Sequence, residues 1–339
     1  MSTRFWNEPA NDDKSSYDPL YVLNRDSELR EDVRDYVENL WSRYEPYCGD
    51  TNFLGETRRQ FQQFTWQMYA GVCLLEAGHI LEKAAPEGPD HKAMMNGRRV
   101  WVECIAPKAG EGENLAERTI QSWTKTETGG HGMFRPPPDD KIQARLTGAL
   151  SNKVQQYRRW VEKGIVSADD PFIVAIGAGI IPDTDVVRDP PHIVRALFGL
   201  GSPALTYEIG SDKEAELVPT YRNEIPRVVK RASGEKNAPI SLRGFLDERL
   251  YPEASAVIFC SQGVWNPPRK IGRDLLTVYN AVAKHSLPPG TIPLGQEYWA
   301  EDVLRFRDNR EALPDLEPDE ETKKAIDALI AQRRDQRKR

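Results

Sequence analysis

The chain lacks any run of apolar residues approaching the roughly eighteen that a membrane helix needs, so no membrane partner is expected. Its first residues, Met-Ser-Thr-Arg-Phe-Trp-Asn-Glu-Pro, contain no apolar stretch of the kind a secretory signal requires. Cysteine is scarce. The four present, Cys48, Cys73, Cys104 and Cys260, have no metal-ligand spacing, which predicts free thiols in a reducing cytoplasm. The five histidines are likewise scattered without ligand spacing. No Gly-x-Ser-x-Gly elbow, P-loop lysine motif or internal repeat is present. Gly177-Ala178-Gly179 could open a dinucleotide loop, but Pro182 takes the third glycine position and no helix signal follows directly. Positive charge is also in deficit: 46 Lys plus Arg against 52 Asp plus Glu gives a net charge of −6. That balance argues against a non-specific coat for nucleic acid, while leaving a local basic groove open.

What is there points to a globular protein. The 8 Trp, 12 Tyr and 10 Phe are too many aromatics for a disordered chain, and 339 residues can bury a sizeable core. Residues 1–27 are polar and read as an extended arm. Apolar residues at helical spacing predict a helix over 28–46 and a second over about 54–77, with Gly78 at its C-terminal end. Strands are expected near 79–84 and 90–95, then at 98–106 beyond Asn96-Gly97, the strongest short hairpin signal. Residues 107–140 read as a long loop, with a short helix near 114–123. A third helix should begin after a cap at Asp139 or Asp140 and carry the stripe Ile142, Leu146, Leu150, Val154, Tyr157 and Val161. Pro171 to Gly177 reads as a buried strand, and further strands are expected at 204–209, 254–260 and 275–281. Residues 311–339, acidic and then basic, read as a charged helix or tail. The organisation expected is one α/β domain over 28–310, with a core at about 54–178 and a sheet extension at about 200–300.

The hairpin carries a geometric deduction. A two-residue turn at Asn96-Gly97 sets Met95 opposite Arg98 and, counting outward, Asp90 opposite Glu103. Two facing carboxylates repel, and Glu103 sits in the apolar run Val100 to Ile105. Burying an unpaired charge there would cost several kcal/mol, as an order of magnitude. Compensation could come from a raised pKa, a basic partner or a divalent cation shared by both acids. The alternative is a slipped register on a surface hairpin, with both acids hydrated.

Helix, strand, Gly-Pro-Asp90, hairpin, Val-Trp-Val-Glu103, loop, helix and strand together resemble the PD-(D/E)XK nuclease superfamily over about residues 54–178. The resemblance implies a restriction-endonuclease-like α-β-β-β-α-β core with a mixed central sheet, extended by an N-terminal helix and C-terminal strands. Pro89-Asp90 and Glu103 match the motif's first Pro-Asp and its second acid. By that resemblance they would hold Mg²⁺ or Mn²⁺, with the backbone carbonyl of Cys104. Glu56, on the first helix, would join them, although a first-turn acid favoured by the helix dipole accounts for it equally.

The motif's lysine, two residues beyond the second acid, is replaced by Ile105. Lys108, just past the strand, and Lys153, on the third helix in the angular sector of Ile142 and Trp160, are the candidates to take over its role. A lysine snorkelling beside the core explains Lys153 as well. Arg145 and Gln156, on the same side of that helix, could touch a phosphate backbone. The implied function is metal-dependent hydrolysis of nucleic-acid phosphodiesters. The alternatives are a catalytically inactive binding or scaffold module, for which Ile105 is the best support, and a hydrolase of nucleotides or other phosphate esters. Oligomeric state is not legible in the sequence.

Overall fold

The structure, a computed structural model, describes residues 4–6, 14–111, 115–116, 120–126, 129–134, 138–184, 189–209, 215–225, 240–263, 268 and 270–310. The charged segment expected at 311–339 lies outside the described residues.

The N-terminal segment is not the extended arm that its polarity suggests. Helix α1 occupies Pro19–Asp26, begun by proline at its first position and capped by Asp18, whose carboxylate accepts from the Leu20 N–H at 2.8 Å. Helix α2 spans Glu31–Tyr44 and buries Val33, Val37, Leu40, Trp41 and Tyr44. Phe5, only 2% exposed, packs near Trp41 and Phe61, with ring centroids 6.4 Å from each.

The single helix expected at 54–77 is instead two, α3 at Phe53–Arg59 and α4 at Phe61–Glu76. A continuous helix would give the Phe61 N–H to the carbonyl of Thr57. Asp18 takes it instead, at 3.0 Å, and Gln60 leaves helical geometry at φ −138° and ψ 57°.

Eight strands form the central sheet: β1 (Ile80–Glu82), β2 (His91–Met95), β3 (Arg98–Ile105), β4 (Phe172–Gly177), β5 (Ala254–Cys260), β6 (Leu276–Tyr279), β7 (Gln296–Ala300) and β8 (Leu304–Asp308). They lie in sequential order across the sheet. The fold is therefore α/β with a mixed sheet. β1, β2 and β3 are antiparallel, while β3, β4 and β5 run parallel, with Glu103 beside Val174 and Val174 beside Val257. β6 is antiparallel to β5 and parallel to β7, and β8 closes the edge antiparallel to β7.

Strand alternation divides the core into two layers. Val102, Cys104, Ile173, Ala175, Ala256, Ile258 and Cys260 face α1 to α4. Trp101, Val174, Ile176, Val257 and Phe259 face helices α5 (Asp139–Glu162) and α6 (His192–Leu197). None of the described helices is long and apolar enough to cross a membrane.

Several local expectations change. Of the short helix expected near 114–123, residues 120–123 are instead strand: Ile120–Thr126 and Gly129–Phe134 pair as a separate hairpin. The run at 204–209 is a strand, Pro203–Ile209, but it pairs only with Ala215–Tyr221 and stays outside the main sheet. Neither Asp139 nor Asp140 caps α5 from outside. Both lie in its first turn, where negative charge favours the helix dipole. Asp139 binds His192 Nε2 at 3.0 Å and Arg195 Nη1 at 3.1 Å, and Asp140 accepts from Ser202 Oγ at 2.7 Å.

Candidate metal and phosphate site

Asn96 and Gly97 both take positive φ, 50° and 76°, as a two-residue type I′ hairpin requires. Met95 pairs with Arg98 and His91 with Val102. One step beyond the ladder, Asp90 meets Glu103. The Asp90 N–H donates to Glu103 Oε2 at 3.2 Å, and the Cys104 N–H donates to Asp90 Oδ2 at 2.7 Å. The alternation of β3 that sends Cys104 into the α4 layer turns Glu103 towards α5.

Glu103 is 4% exposed, so its charge needs a partner. Lys153, from the middle of α5, supplies one: its Nζ lies 2.6 Å from Glu103 Oε1 and donates to Gln156 Oε1 at 3.2 Å. Lys153 and Gln156 thus share one site, three residues apart on a single helix face. Burial pushes the Glu103 carboxyl above its ordinary range, and the Lys153 ammonium pulls it partly back. Asp90 is raised well above its ordinary range by burial and then by repulsion from Glu103, with the Cys104 N–H and Lys153 opposing. The pair therefore retains a proton to higher pH than two separated carboxylates would. The Cys104 thiol, fully enclosed and pushed up by burial, is not a nucleophile.

The other candidates are placed differently. Glu56 lies on α3, before the break at Gln60, and its carboxylate accepts from Asn52 Nδ2 at 3.1 Å and Gln60 Nε2 at 3.3 Å. Among the described residues, no contact joins it to Asp90 or Glu103. Lys108 is exposed, and no described contact brings it to the acids. Arg145 packs its guanidinium over Gly110, where the positive φ of 99° and the absence of a side chain let it approach. It thereby holds the chain leaving β3.

The carbonyl of Cys104 has a partner that sequence reasoning missed. Gln63, near the start of α4, donates from Nε2 to this carbonyl at 3.2 Å and accepts the Ala106 N–H on Oε1 at 2.7 Å. Its amide stands in for a neighbouring strand just where β3 ends. The available signal was polarity: Gln62, Gln63 and Gln67 interrupt a helix that is apolar and buried on nearly every side. Among the described residues, no three His, Cys, Asp or Glu side chains converge as a metal set. The oxygen donors at hand are the Asp90 and Glu103 carboxylates and the Cys104 carbonyl.

Comparison with protein-family models, with curated proteins and with solved structures gives no match to this chain.

Proposed function

We propose that the chain is a divalent-metal-dependent phosphodiesterase of the nuclease type, built on a restriction-endonuclease-like core and acting on nucleic acid. The order α4, β1, β2, β3, α5, β4 supports that core. The observation that carries the reading is the 2.6 Å contact of Lys153 Nζ with Glu103 Oε1. It sets a helix-borne ammonium beside the paired acids, while position 105 of β3 holds isoleucine.

The donor chemistry fits a hard cation. Asp90 and Glu103 offer carboxylate oxygens, the Cys104 carbonyl lies next in the chain, and such ligands suit Mg²⁺ or Mn²⁺. When bound, the metal would polarise a scissile phosphate and lower the pKa of an attacking water. The chain's own groups do the rest. Lys153, held between Glu103 and Gln156, would orient that water and oppose negative charge growing on the phosphate. Gln63 fixes the end of β3 and so the direction of the Cys104 carbonyl. Gln156, beside Lys153, and Arg145, packed farther off over Gly110, would contact flanking phosphates.

A specific observation favours a second reading, a binding module without catalysis. Lys153 already neutralises Glu103, and Gln63 already occupies the Cys104 carbonyl, so these groups are satisfied without a cation.

Calorimetric titration with Mg²⁺ and Mn²⁺, alongside cleavage assays on single- and double-stranded DNA and RNA, separates the two. Metal binding and cleavage that both vanish in Glu103→Gln, with the fold retained, support the nuclease. No metal-binding heat, together with higher stability of Glu103→Gln, rejects it and leaves the binding module.

A further inference from the structure

On the other layer of the sheet, four segments converge at the carboxyl end of β5. They are the middle of α2, the first turns of α4, the chain leaving Cys260, and the chain entering β6. The pocket between them has an enclosed volume of about 20 Å³, room for a head group little larger than a water, below a wider mouth open to solvent; it is lined by Tyr36, Gln62, Trp66, Tyr69, Cys260 and Asp274, among others. Ligands of open α/β sheets bind outside the carboxyl ends of parallel strands, and β4 and β5 are such a pair.

The polar groups here are built rather than incidental. The Tyr69 hydroxyl donates to Asp274 Oδ1 and accepts the Gly272 N–H at 3.0 Å, while Cys260 Sγ donates to Asp274 Oδ2 at 3.0 Å. Asp274 is thereby fixed with its oxygens among neutral donors. Among the described residues lining the pocket, none is basic. Gln62 is 6% exposed, and its side-chain oxygen is enclosed without a hydrogen-bond partner. An enclosed acceptor is destabilising unless a donor reaches it. The pocket thus offers a carboxylate, an unmet amide oxygen and aromatic walls, with no cation of its own among the described lining. That is the complement of a positively charged nitrogen group, which aromatic faces also attract.

We propose that this pocket binds a small organic cation with N–H donors, its ammonium or amidinium head set against Asp274 and Gln62 and the rest of the molecule in the open mouth beside Tyr36 and Trp66. The inference is independent of the metal-site reading. It is tested on the full chain by calorimetry with benzamidinium and with benzamide, its uncharged counterpart of similar shape. Saturable benzamidinium binding is expected, with benzamide much weaker. Asp274→Asn should weaken benzamidinium about 30-fold or more, the usual scale for removing one partner of a buried charge pair. Since that substitution also touches Tyr69 and Cys260, Gln62→Met provides the second arm. It removes the amide with its unmet oxygen while leaving Asp274, Tyr69 and Cys260 in place, and should weaken binding about fivefold, the worth of one hydrogen bond. Equal binding of benzamide, full affinity in both variants, or no benzamidinium heat at all would overturn the proposal.

Discussion

Lys153 and Glu103 form an ion pair across the layer between α5 and β3, Nζ to Oε1 at 2.6 Å, with both side chains largely enclosed. Removing one member leaves the other buried and uncompensated. Lys153→Met should therefore lose about 3 kcal/mol of stability in urea unfolding, the lower end of the scale for breaking a buried pair because Lys153 is partly exposed. The double variant Lys153→Met with Glu103→Gln should recover part of that loss. A double-mutant cycle with no coupling would show that the pair is held apart by water.

The raised carboxyls give a pH dependence of definite sign. In the folded chain, Asp90 and Glu103 keep a proton at pH values where the unfolded chain has released it. The native state then binds more protons than the unfolded one, so this contribution falls as pH rises from about 4 through the raised native range. Asp90→Asn should flatten the fall and gain stability relative to wild type at neutral and alkaline pH. Thermal melts of the two proteins across pH 4–9 check it; parallel curves would refute the shared-proton picture. Added Mg²⁺, if the acids hold it, should stabilise wild type most at the alkaline end.

Gln63 pins the carbonyl of Cys104 and the N–H of Ala106 at once. Gln63→Leu leaves both without their partner and should cost about 1–2 kcal/mol. Hydrogen exchange gives the sharper readout: the Ala106 amide should exchange faster while amides within β4 keep their protection.

Phe5 tests whether the N-terminal segment belongs to the core. It is 2% exposed, and its N–H is received by the Glu38 carboxylate at 3.1 Å. Phe5→Ala should lower stability by about 3 kcal/mol, as for large-to-small changes in a packed interior. A loss below a tenth of that would mean the residue is solvated after all.

Where local chemistry decides the outcome, the sequence was readable. Asn96-Gly97 demands positive φ at two positions, so turn, register and the meeting of Asp90 with Glu103 all follow from one dipeptide. The apolar runs of β4 and β5 and the stripe of α5 were legible because burial on both sides, or on one face, imposes its own period. Lys153 could be placed near the acids from its angle on α5, though not its choice of Glu103 over solvent.

Long-range chemistry was not readable. Nothing near residue 60 announces that Asp18 will claim the Phe61 N–H, and so Glu56 falls on a separate helix. The edge strand β8 escaped because Arg305 and Arg307 interrupt its apolar pattern, as charge often does on an edge, and β7 because Gln296 and Glu297 leave it too few apolar residues to show a period. The hairpin at 120–134 lies in a stretch whose glycines read as loop.

The carboxylate of Asp18 accepts from Leu20 at one oxygen and from Phe61 at the other, 2.8 and 3.0 Å away, so a single side chain starts two helices. Helix α4, whose first turn it secures, carries Gln62 and Gln63 side by side. One reaches the Asp274 pocket and the other the end of β3 beside the paired acids. The N-terminal segment is thus a tether on the helix that lines one site and steadies the strand end beside the other. Cutting that tether, by Asp18→Ala, would slacken both at once without altering any residue in either.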